Sequence, residues 1–286
     1  MSMVTRSVAC LGPHGFHRMA YHEWPGPPGA PTLVCVHGLT RNGRDFDMLA
    51  AALQTRWRVI CPDVAGRGAS DFLPNPADYS YPVYLADVAA LIARLDVDAV
   101  DFVGTSMGGL IGMLLAAQPG NPIRRLVIND VGPLIAAEGL RRIATYVGDD
   151  LDFADLAEVE AYLRKVAASF GPLTDAQWRH LARYSIRPRP DGRLGRSYDV
   201  GIAAAFKEVA SDIDLWPIWD AVRCPTLLLR GAQSDLLRAA DAAAMTRRGP
   251  KARLIEFAGI GHAPALMAED QIAAVAGFLA EAAPAV

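Results

Sequence analysis

Gly104-Thr105-Ser106-Met107-Gly108 is the stretch that decides the fold. It has the pattern G-x-S-x-G, and it lies between an apolar run of strand length and an apolar segment of helical length, which is the context that this motif requires. The two glycines remove the Cβ atoms that would clash where a strand and a helix approach each other. The pattern predicts that Ser106 is a nucleophile on a sharp turn above the carboxyl edge of a sheet.

The segments on both sides of this turn alternate between buried strands and helices. Continuous apolar runs such as 99–104 and 226–229 are typical of strands buried on both faces of a parallel sheet. The alternation predicts an α/β fold with right-handed crossovers. Residues 133–214 interrupt it with helical patterns only, so we predict a core made of residues 1–132 and 215–286, with residues 133–214 inserted as a helical cap.

A serine hydroxyl is a weak nucleophile and needs a base, which in turn needs a carboxylate. His262 is the predicted base, because it lies in a loop just after the last predicted strand. Asp235, in the loop after the strand at 226–229, is the predicted acid, since Ser, Asp, His is the chain order expected here. Asp130, at the end of an earlier strand, is the competing candidate, and Asp63 is interpreted as a turn former.

Acyl transfer also needs an oxyanion hole, in which two N–H groups face the developing negative charge. The backbone N–H of Met107, the residue after the nucleophile, is the first predicted donor. The second is the backbone N–H of Leu39, in the loop after the strand at 32–37. His37 precedes this loop, and we interpret it as a residue that orders the loop and not as a base.

Composition excludes several other classes of protein. Among 286 residues, 28 are Lys or Arg and 31 are Asp or Glu, so the net charge of −3 gives no basic footprint for nucleic acid. No apolar stretch reaches about 18 residues, and the N-terminal residues do not resemble a signal peptide, which predicts a cytoplasmic protein without membrane contact. The four cysteines form no C-x-x-C pair, and the sequence shows no carboxylate cluster near the histidines at positions 14, 17 and 22, so no metal or cofactor is expected.

Five motifs follow one another in a recognisable order: H-G-L-T, D-x-x-G-x-G-x-S, G-T-S-M-G-G, G-x-x-S-D and G-H-A-P. In this order they resemble the α/β-hydrolase fold superfamily, and most of all its serine carboxylesterases with an inserted helical cap. The resemblance implies an eight-stranded, mostly parallel sheet with helices on both faces and a triad of Ser106, His262 and Asp235. Serine at the turn separates the chain from haloalkane dehalogenases and epoxide hydrolases, which place aspartate there.

The predicted function is hydrolysis of carboxylic esters with small or medium acyl groups, by way of an acyl-enzyme. The run at 129–133 is similar to that of bacterial carboxylesterases that take small and sometimes polymeric esters, so aliphatic polyesters are included. A carbon–carbon bond hydrolase of diketo acids, and an acyltransferase or perhydrolase, are open alternatives, because the same triad serves them. A non-catalytic binding protein is disfavoured, since all three triad positions are present. The substrate is a small molecule, and the sequence does not determine the oligomeric state.

The cap is expected to set specificity. Arg179, Arg183 and Arg187 recur at intervals of four and predict one face of a helix, which either lines the cleft and binds a substrate carboxylate or faces solvent. The cluster continues just beyond with Arg189, Arg193 and Arg196, and the sequence does not determine whether it faces the cleft. We favour the solvent face, because arginine stripes usually lie on the surface. Under that interpretation neutral esters are preferred, and the pocket is lined by four aromatic residues of the cap: Tyr146, Phe170, Trp178 and Phe206.

Overall fold

Strands and helices alternate along most of the chain. The structure, a computed structural model, describes residues 2–206 and 211–281. The strands are β1 (Val4–Gly12), β2 (Gly15–Trp24), β3 (Thr32–Val36), β4 (Arg58–Pro62), β5 (Val100–Thr105), β6 (Ile123–Asn129), β7 (Leu134–Ile135), β8 (Asp152–Phe153), β9 (Ile186–Pro188), β10 (Leu194–Arg196), β11 (Ile213–Asp214), β12 (Thr226–Gly231) and β13 (Arg253–Phe257). The helices are α1 (Asp47–Leu53), α2 (Tyr81–Arg94), α3 (Met107–Ala116), α4 (Ala137–Val147), α5 (Leu156–Val166), α6 (Asp175–Tyr184), α7 (Trp216–Ala221), α8 (Ala239–Met245) and α9 (Glu269–Ala280).

Eight strands form the main sheet, in the order β1-β2-β4-β3-β5-β6-β12-β13. The strands from β4 to β13 in this order pair in parallel. The β1–β2 hairpin adds the antiparallel edge. The predicted eight-stranded, mostly parallel α/β-hydrolase sheet is therefore confirmed. Because β5, β6, β12 and β13 are consecutive in the sheet, the loops that follow them meet at one edge.

Both faces of the sheet are covered by helices, as the continuous apolar strands predict. In β3, Val34 packs in a core cluster with residues of α2 and α3, while its neighbour Leu33 packs in a second cluster with residues of α1 and α9. Both side chains are fully buried. Each buried aliphatic side chain of this kind contributes about 1.5–3 kcal/mol, so the central strands are held from two sides. They form a rigid base for the loops at their carboxyl ends.

The segment 133–214, predicted as a cap, contains helices α4, α5 and α6 close to the helical patterns seen in the sequence. It also contains strands that the sequence pattern did not predict, in a three-stranded sheet β8-β10-β9. Its two ends meet, because β7 pairs with β11. The division into domains stays a prediction, and its ranges include residues 1, 207–210 and 282–286, which lie outside the described residues. Within the described ranges, no helix has the length and apolarity needed to cross a membrane.

Candidate active site

Ser106 lies on the turn between β5 and α3, as predicted. Its backbone has a positive φ of 52° with ψ of −114°, and its N–H donates to the Asn129 carbonyl oxygen at 2.9 Å. A Cβ atom added to Gly104 would overlap the Gly108 carbonyl oxygen, and one added to Gly108 would overlap the Val36 carbonyl oxygen. The glycines thus allow the close approach of strand, turn and helix that the strained serine conformation needs.

His262 lies in the loop after β13, and its Nε2 is 2.9 Å from Ser106 Oγ. The segment 133–214 holds this loop from the other side. Ser169 Oγ donates to the His262 carbonyl oxygen at 2.8 Å, and the Gly261 N–H donates to the Ser169 carbonyl oxygen at 2.8 Å. The backbone on both sides of the histidine ring is therefore fixed by one serine of the inserted segment.

Asp130, the first residue after β6, is the carboxylate that meets His262. His262 Nδ1 is 2.8 Å from Asp130 Oδ2, and the carboxylate is fully buried. The Gly231 N–H donates to Oδ1 at 3.0 Å, and Ser234 Oγ donates to Oδ2 at 2.7 Å. These donors fix the carboxylate, which can then orient the imidazole with its proton on Nδ1 and leave Nε2 to accept the Ser106 proton.

The expectation that Asp235 occupies this position is wrong. The Asp235 side chain is about half exposed and forms an ion pair with Arg142 of α4. The physical reason is that β6 and β12 are neighbours in the sheet, so the residues after either strand can reach the histidine. In the loop after β12 it is Ser234 that donates to Asp130, whereas Asp235 lies in the cavity wall beside Arg142.

The loop after β3 lies against Ser106. A Cβ atom on Gly38 would be 3.8 Å from Ser106 Cβ. The Gly38 carbonyl oxygen accepts from His37 Nδ1 at 2.7 Å, while His37 Nε2 accepts from the Val64 N–H at 2.9 Å. In a trans peptide the C=O and the next N–H point in opposite directions, so the Leu39 N–H faces away from His37. This arrangement agrees with a role for His37 in ordering the loop.

The His37 ring is buried, and burial lowers its pKa from 6.5 to about 4. A group with a lowered pKa in the folded state contributes stability that is present above pH 6.5 and is lost as the pH falls towards 4. We expect the free energy of unfolding of the wild type to fall by about 3 kcal/mol across this interval from His37 alone. His37→Gln should remove this dependence, as measured by urea unfolding at pH steps from 7 to 4. Parallel stability curves for the two proteins would contradict the assignment.

Arg67 is a buried cation beside both predicted oxyanion donors, a position that the sequence had not indicated. Its Nε donates to the Leu39 carbonyl oxygen at 2.9 Å, and its Nη2 lies 3.7 Å from Met107 Sδ. Its remaining bonds go to the Ala65 carbonyl oxygen and the Tyr84 hydroxyl, and among residues 2–206 and 211–281 no carboxylate pairs with it. The sequence feature that could have drawn attention to Arg67 is its place within the D-x-x-G-x-G-x-S motif at 63–70.

A cavity of about 650 Å³ opens above Ser106 and His262, between the sheet edge and the segment 133–214. Its wall is mainly apolar, with contributions from α4, α5 and α6. Of the four aromatic residues predicted to line it, Tyr146 and Phe170 do so. The prediction is wrong for Trp178, which fills the space between α5 and α6, and for Phe206, which packs on the main core.

The model of the alpha/beta hydrolase fold family matches residues 31–267. The chain belongs to the alpha/beta-hydrolase fold family. A 3-hydroxybutyrate-oligomer hydrolase from Cupriavidus necator is 46% identical over 280 residues, which cover 95% of this chain and 96% of that protein. A 2-(acetamidomethylene)succinate hydrolase from Mesorhizobium japonicum is 30% identical, with 81% of each chain covered.

The solved structures agree with this membership. The crystal structure of an alpha/beta hydrolase from Novosphingobium aromaticivorans superposes with a TM-score of 0.86 at 36% identity, covering 97% of this chain and 98% of that one. The crystal structure of E-2-(acetamidomethylene)succinate hydrolase superposes with a TM-score of 0.83 at 26% identity, covering 97% of this chain and all of the other. The likeness therefore includes the segment 133–214 as well as the sheet.

The arginine face of α6 points to solvent in this alpha/beta hydrolase. Arg179 and Arg183 are exposed, and so is Arg187, which lies beyond the helix in β9. On the opposite side of the helix Trp178, Leu181 and Ala182 are buried. The favoured interpretation of the stripe is confirmed. Three other arginines line the cavity: Arg41, Arg142 and Arg196. The last of them belongs to the wider arginine cluster at 179–196, so the solvent-facing interpretation holds for the helical stripe and not for Arg196.

The histidines near the N-terminus of the hydrolase lie close to carboxylates, which the sequence had not indicated. Their partners are Asp78 for His14 at 2.6 Å, Asp87 for His17 at 2.8 Å and Asp63 for His22 at 3.3 Å. Ligand atoms of Cys10, His17 and Asp87 lie within 4.8 Å of one another. Burial raises the pKa of the Cys10 thiol to about 12, which keeps the thiol protonated at neutral pH. None of these three residues lines the cavity above Ser106.

Proposed function

We propose that this alpha/beta hydrolase is a serine esterase that hydrolyses oligomers of 3-hydroxybutyrate, or of closely similar 3-hydroxy acids, through an acyl-enzyme on Ser106. The observation that carries the proposal is the chain of hydrogen bonds from Ser106 Oγ through His262 to Asp130 at the floor of a large apolar cavity. The 46% identical relative, which is a 3-hydroxybutyrate-oligomer hydrolase, supports this choice of substrate. An ester backbone with methyl branches suits a wall that is mainly apolar.

In the first half-reaction, Ser106 Oγ attacks the carbonyl carbon of an ester bond while His262 Nε2 takes the serine proton. The imidazolium that forms is stabilised by the buried Asp130 carboxylate, 2.8 Å from Nδ1. The tetrahedral intermediate collapses when the ester C–O bond breaks. His262 then gives its proton to the leaving alkoxide, so an alcohol departs and the acyl group stays on Ser106.

The negative charge that develops on the carbonyl oxygen is received by the backbone N–H groups of Leu39 and Met107. Met107 is the first residue of α3, so its N–H has no partner within the helix, and the helix dipole favours negative charge at this end. The Arg67 guanidinium, which contacts both residues, adds a positive charge nearby. Donors that are fixed before the reaction need no reorganisation in the transition state.

In the second half-reaction, water replaces the alcohol. His262 takes a proton from the water as its oxygen attacks the acyl carbon, and the proton is returned to Ser106 Oγ as the bond to the enzyme breaks. A carboxylic acid is released and the serine is restored. For an oligomer of 3-hydroxybutyrate, both products are shorter hydroxy acids, each with one hydroxyl end and one carboxyl end.

The proposal is tested by incubating the purified protein with the linear trimer of 3-hydroxybutyrate and, separately, with a diketo acid. We expect release of 3-hydroxybutyrate monomer with kcat/KM at least ~10-fold above that for the diketo acid, a difference of about 1.4 kcal/mol in transition-state binding. Acid quenching during turnover should also trap the acyl group on the peptide that carries Ser106, by mass spectrometry. Preferred cleavage of the diketo acid would favour the carbon–carbon hydrolase alternative instead.

A further inference from the structure

Arg196 and three tyrosines form a polar group in the wall of the otherwise apolar cavity. We call Arg196, Tyr146, Tyr162 and Tyr198 the Arg196 group; all four line the cavity above Ser106. They come from three separate parts of the segment 133–214: α4, α5, and the strand β10 with the residues after it. The convergence of separate elements on one cation gives the group a defined position relative to the catalytic serine.

The Arg196 group offers more hydrogen-bond donors than acceptors. The guanidinium donates from Nη1 to the Tyr146 carbonyl oxygen at 3.0 Å and to the Tyr198 hydroxyl, and from Nη2 to the Tyr162 hydroxyl at 2.6 Å. The two phenol oxygens act as acceptors here, so their own O–H groups remain to donate, and in the described part of the chain they meet no acceptor. Burial raises the pKa of Tyr198 to about 12, which keeps its proton in place at neutral pH. A guanidinium and two phenols thus present donors to the cavity.

The positive charge of Arg196 has no carboxylate partner among residues 2–206 and 211–281. The two other arginines of the cavity wall do have one: Arg41 pairs with Asp45, and Arg142 pairs with Asp235. The Nε atom of Arg196 is buried and also lacks an acceptor within the described residues. A half-buried cation that only neutral oxygens surround is costly, and a bound anion offsets that cost with charge-assisted hydrogen bonds. A carboxylate is the kind of ligand whose charge and oxygen atoms match this part of the cavity wall.

We propose that the Arg196 group binds the free carboxylate of a hydroxy acid oligomer and so fixes the position of the ester bond that Ser106 attacks. This inference rests on the proposed function, and it differs from the sequence-based preference for neutral esters. The carboxylate of a linear oligomer always belongs to the alcohol side of each ester bond. When Ser106 Oγ bonds to the carbonyl carbon and the C–O bond breaks, the fragment held by Arg196 is the one that leaves, with its new hydroxyl proton supplied by His262.

A consequence for the course of the reaction follows from this chemistry. Hydrolysis of the acyl-enzyme gives the remaining chain a new terminal carboxylate, which is again a ligand for Arg196. The enzyme therefore shortens an oligomer step by step from its carboxyl end, and it releases a unit of constant length at each step. An oligomer whose carboxyl end is methylated lacks the anion and loses this alignment.

The test compares the 3-hydroxybutyrate trimer with its methyl ester in three proteins: the wild type, Arg196→Met and the control Arg183→Met. Arg183 has the same charge and lies in the same segment, but it is exposed and outside the cavity wall. We expect the wild type and the control to prefer the free acid by at least ~10-fold in kcat/KM, and Arg196→Met to bring the ratio close to one. A ratio within one protein is insensitive to partial loss of folded enzyme. A wild-type ratio near one, or a ratio that Arg196→Met leaves unchanged, overturns the inference.

A binding measurement separates failure of this inference from failure of the proposed function. In the Ser106→Ala background, calorimetry with the trimer and its methyl ester reports recognition of the carboxylate without any hydrolysis. One outcome is that the wild type does not cleave the trimer, whereas Ser106→Ala binds the free acid at least ~10-fold more tightly than the double variant Ser106→Ala, Arg196→Met. In that case the carboxylate site is supported and the proposed substrate is wrong. The other outcome is that the trimer is cleaved, but its affinity changes neither on methylation of its carboxylate nor on Arg196→Met. In that case the proposed function is supported and the carboxylate site is wrong.

Discussion

Replacing Ser106 by alanine should lower kcat/KM for any ester substrate by at least ~10⁴-fold, because the oxyanion donors and binding alone supply only the residual rate. The side chain is small and half-buried, and the turn is held by the backbone bond to Asn129, which the substitution leaves in place. We therefore expect the folded structure to persist. The measurement is steady-state hydrolysis of p-nitrophenyl butyrate and of the 3-hydroxybutyrate trimer, with circular dichroism as the check on folding. A folded Ser106→Ala protein with a tenth of the wild-type activity would show that the nucleophile lies elsewhere.

Asp130→Asn should lower kcat by about 10²- to 10⁴-fold with little effect on KM. The amide removes the charge that stabilises the imidazolium, and its NH₂ group can drive the proton of His262 to the wrong ring nitrogen. The substitution also weakens the bonds from the Gly231 N–H and Ser234 Oγ, so the melting temperature is expected to fall as well. Stopped assays at saturating substrate, made well below the melting temperature of the variant, separate the two effects.

Asp235→Asn is the matched control for this prediction, since it makes the same chemical change in the neighbouring strand-end loop. The carboxylate is half exposed, and its ion pair with Arg142 is of the solvent-exposed kind that contributes about 0–1 kcal/mol. We expect its kcat to stay within about tenfold of the wild type. If Asp235→Asn were the severe variant and Asp130→Asn the mild one, the hydrogen bonds around His262 would not describe the reacting enzyme.

The elements of the site that were predictable are those whose positions follow from local sequence. Ser106 is fixed by glycines two residues away on each side, and His262 by its place in the loop after the last strand. The main strands were predictable because a strand buried on both faces leaves an uninterrupted apolar run. In each case the decisive neighbours are close in the chain.

The carboxylate partner of His262 was not predictable in the same way, because the adjacent strands β6 and β12 end side by side at the same edge of the sheet. Only the hydrogen bonds from the Gly231 N–H and the Ser234 hydroxyl, a hundred residues along the chain, distinguish Asp130 from Asp235. The short strands of the segment 133–214, such as β8 and β10, have two or three residues, which is too few for a period of two to appear. The orientation of Arg196 was left open for the same reason, since periodicity predicts a face for the helical arginine stripe but none for a residue at the end of a three-residue strand.

Ser169 couples two parts of the molecule that are far apart in the chain, the inserted segment 133–214 and the loop that carries His262. One residue of the inserted segment holds the backbone on both sides of the His262 ring. Any displacement of the inserted segment at this point displaces the imidazole too, by way of two short hydrogen bonds. If the proposed roles hold, we expect a substitution near Ser169 to change turnover and selectivity together. Transplanting the inserted segment from one relative to another therefore exchanges a support of the His262 loop as well as part of the cavity wall.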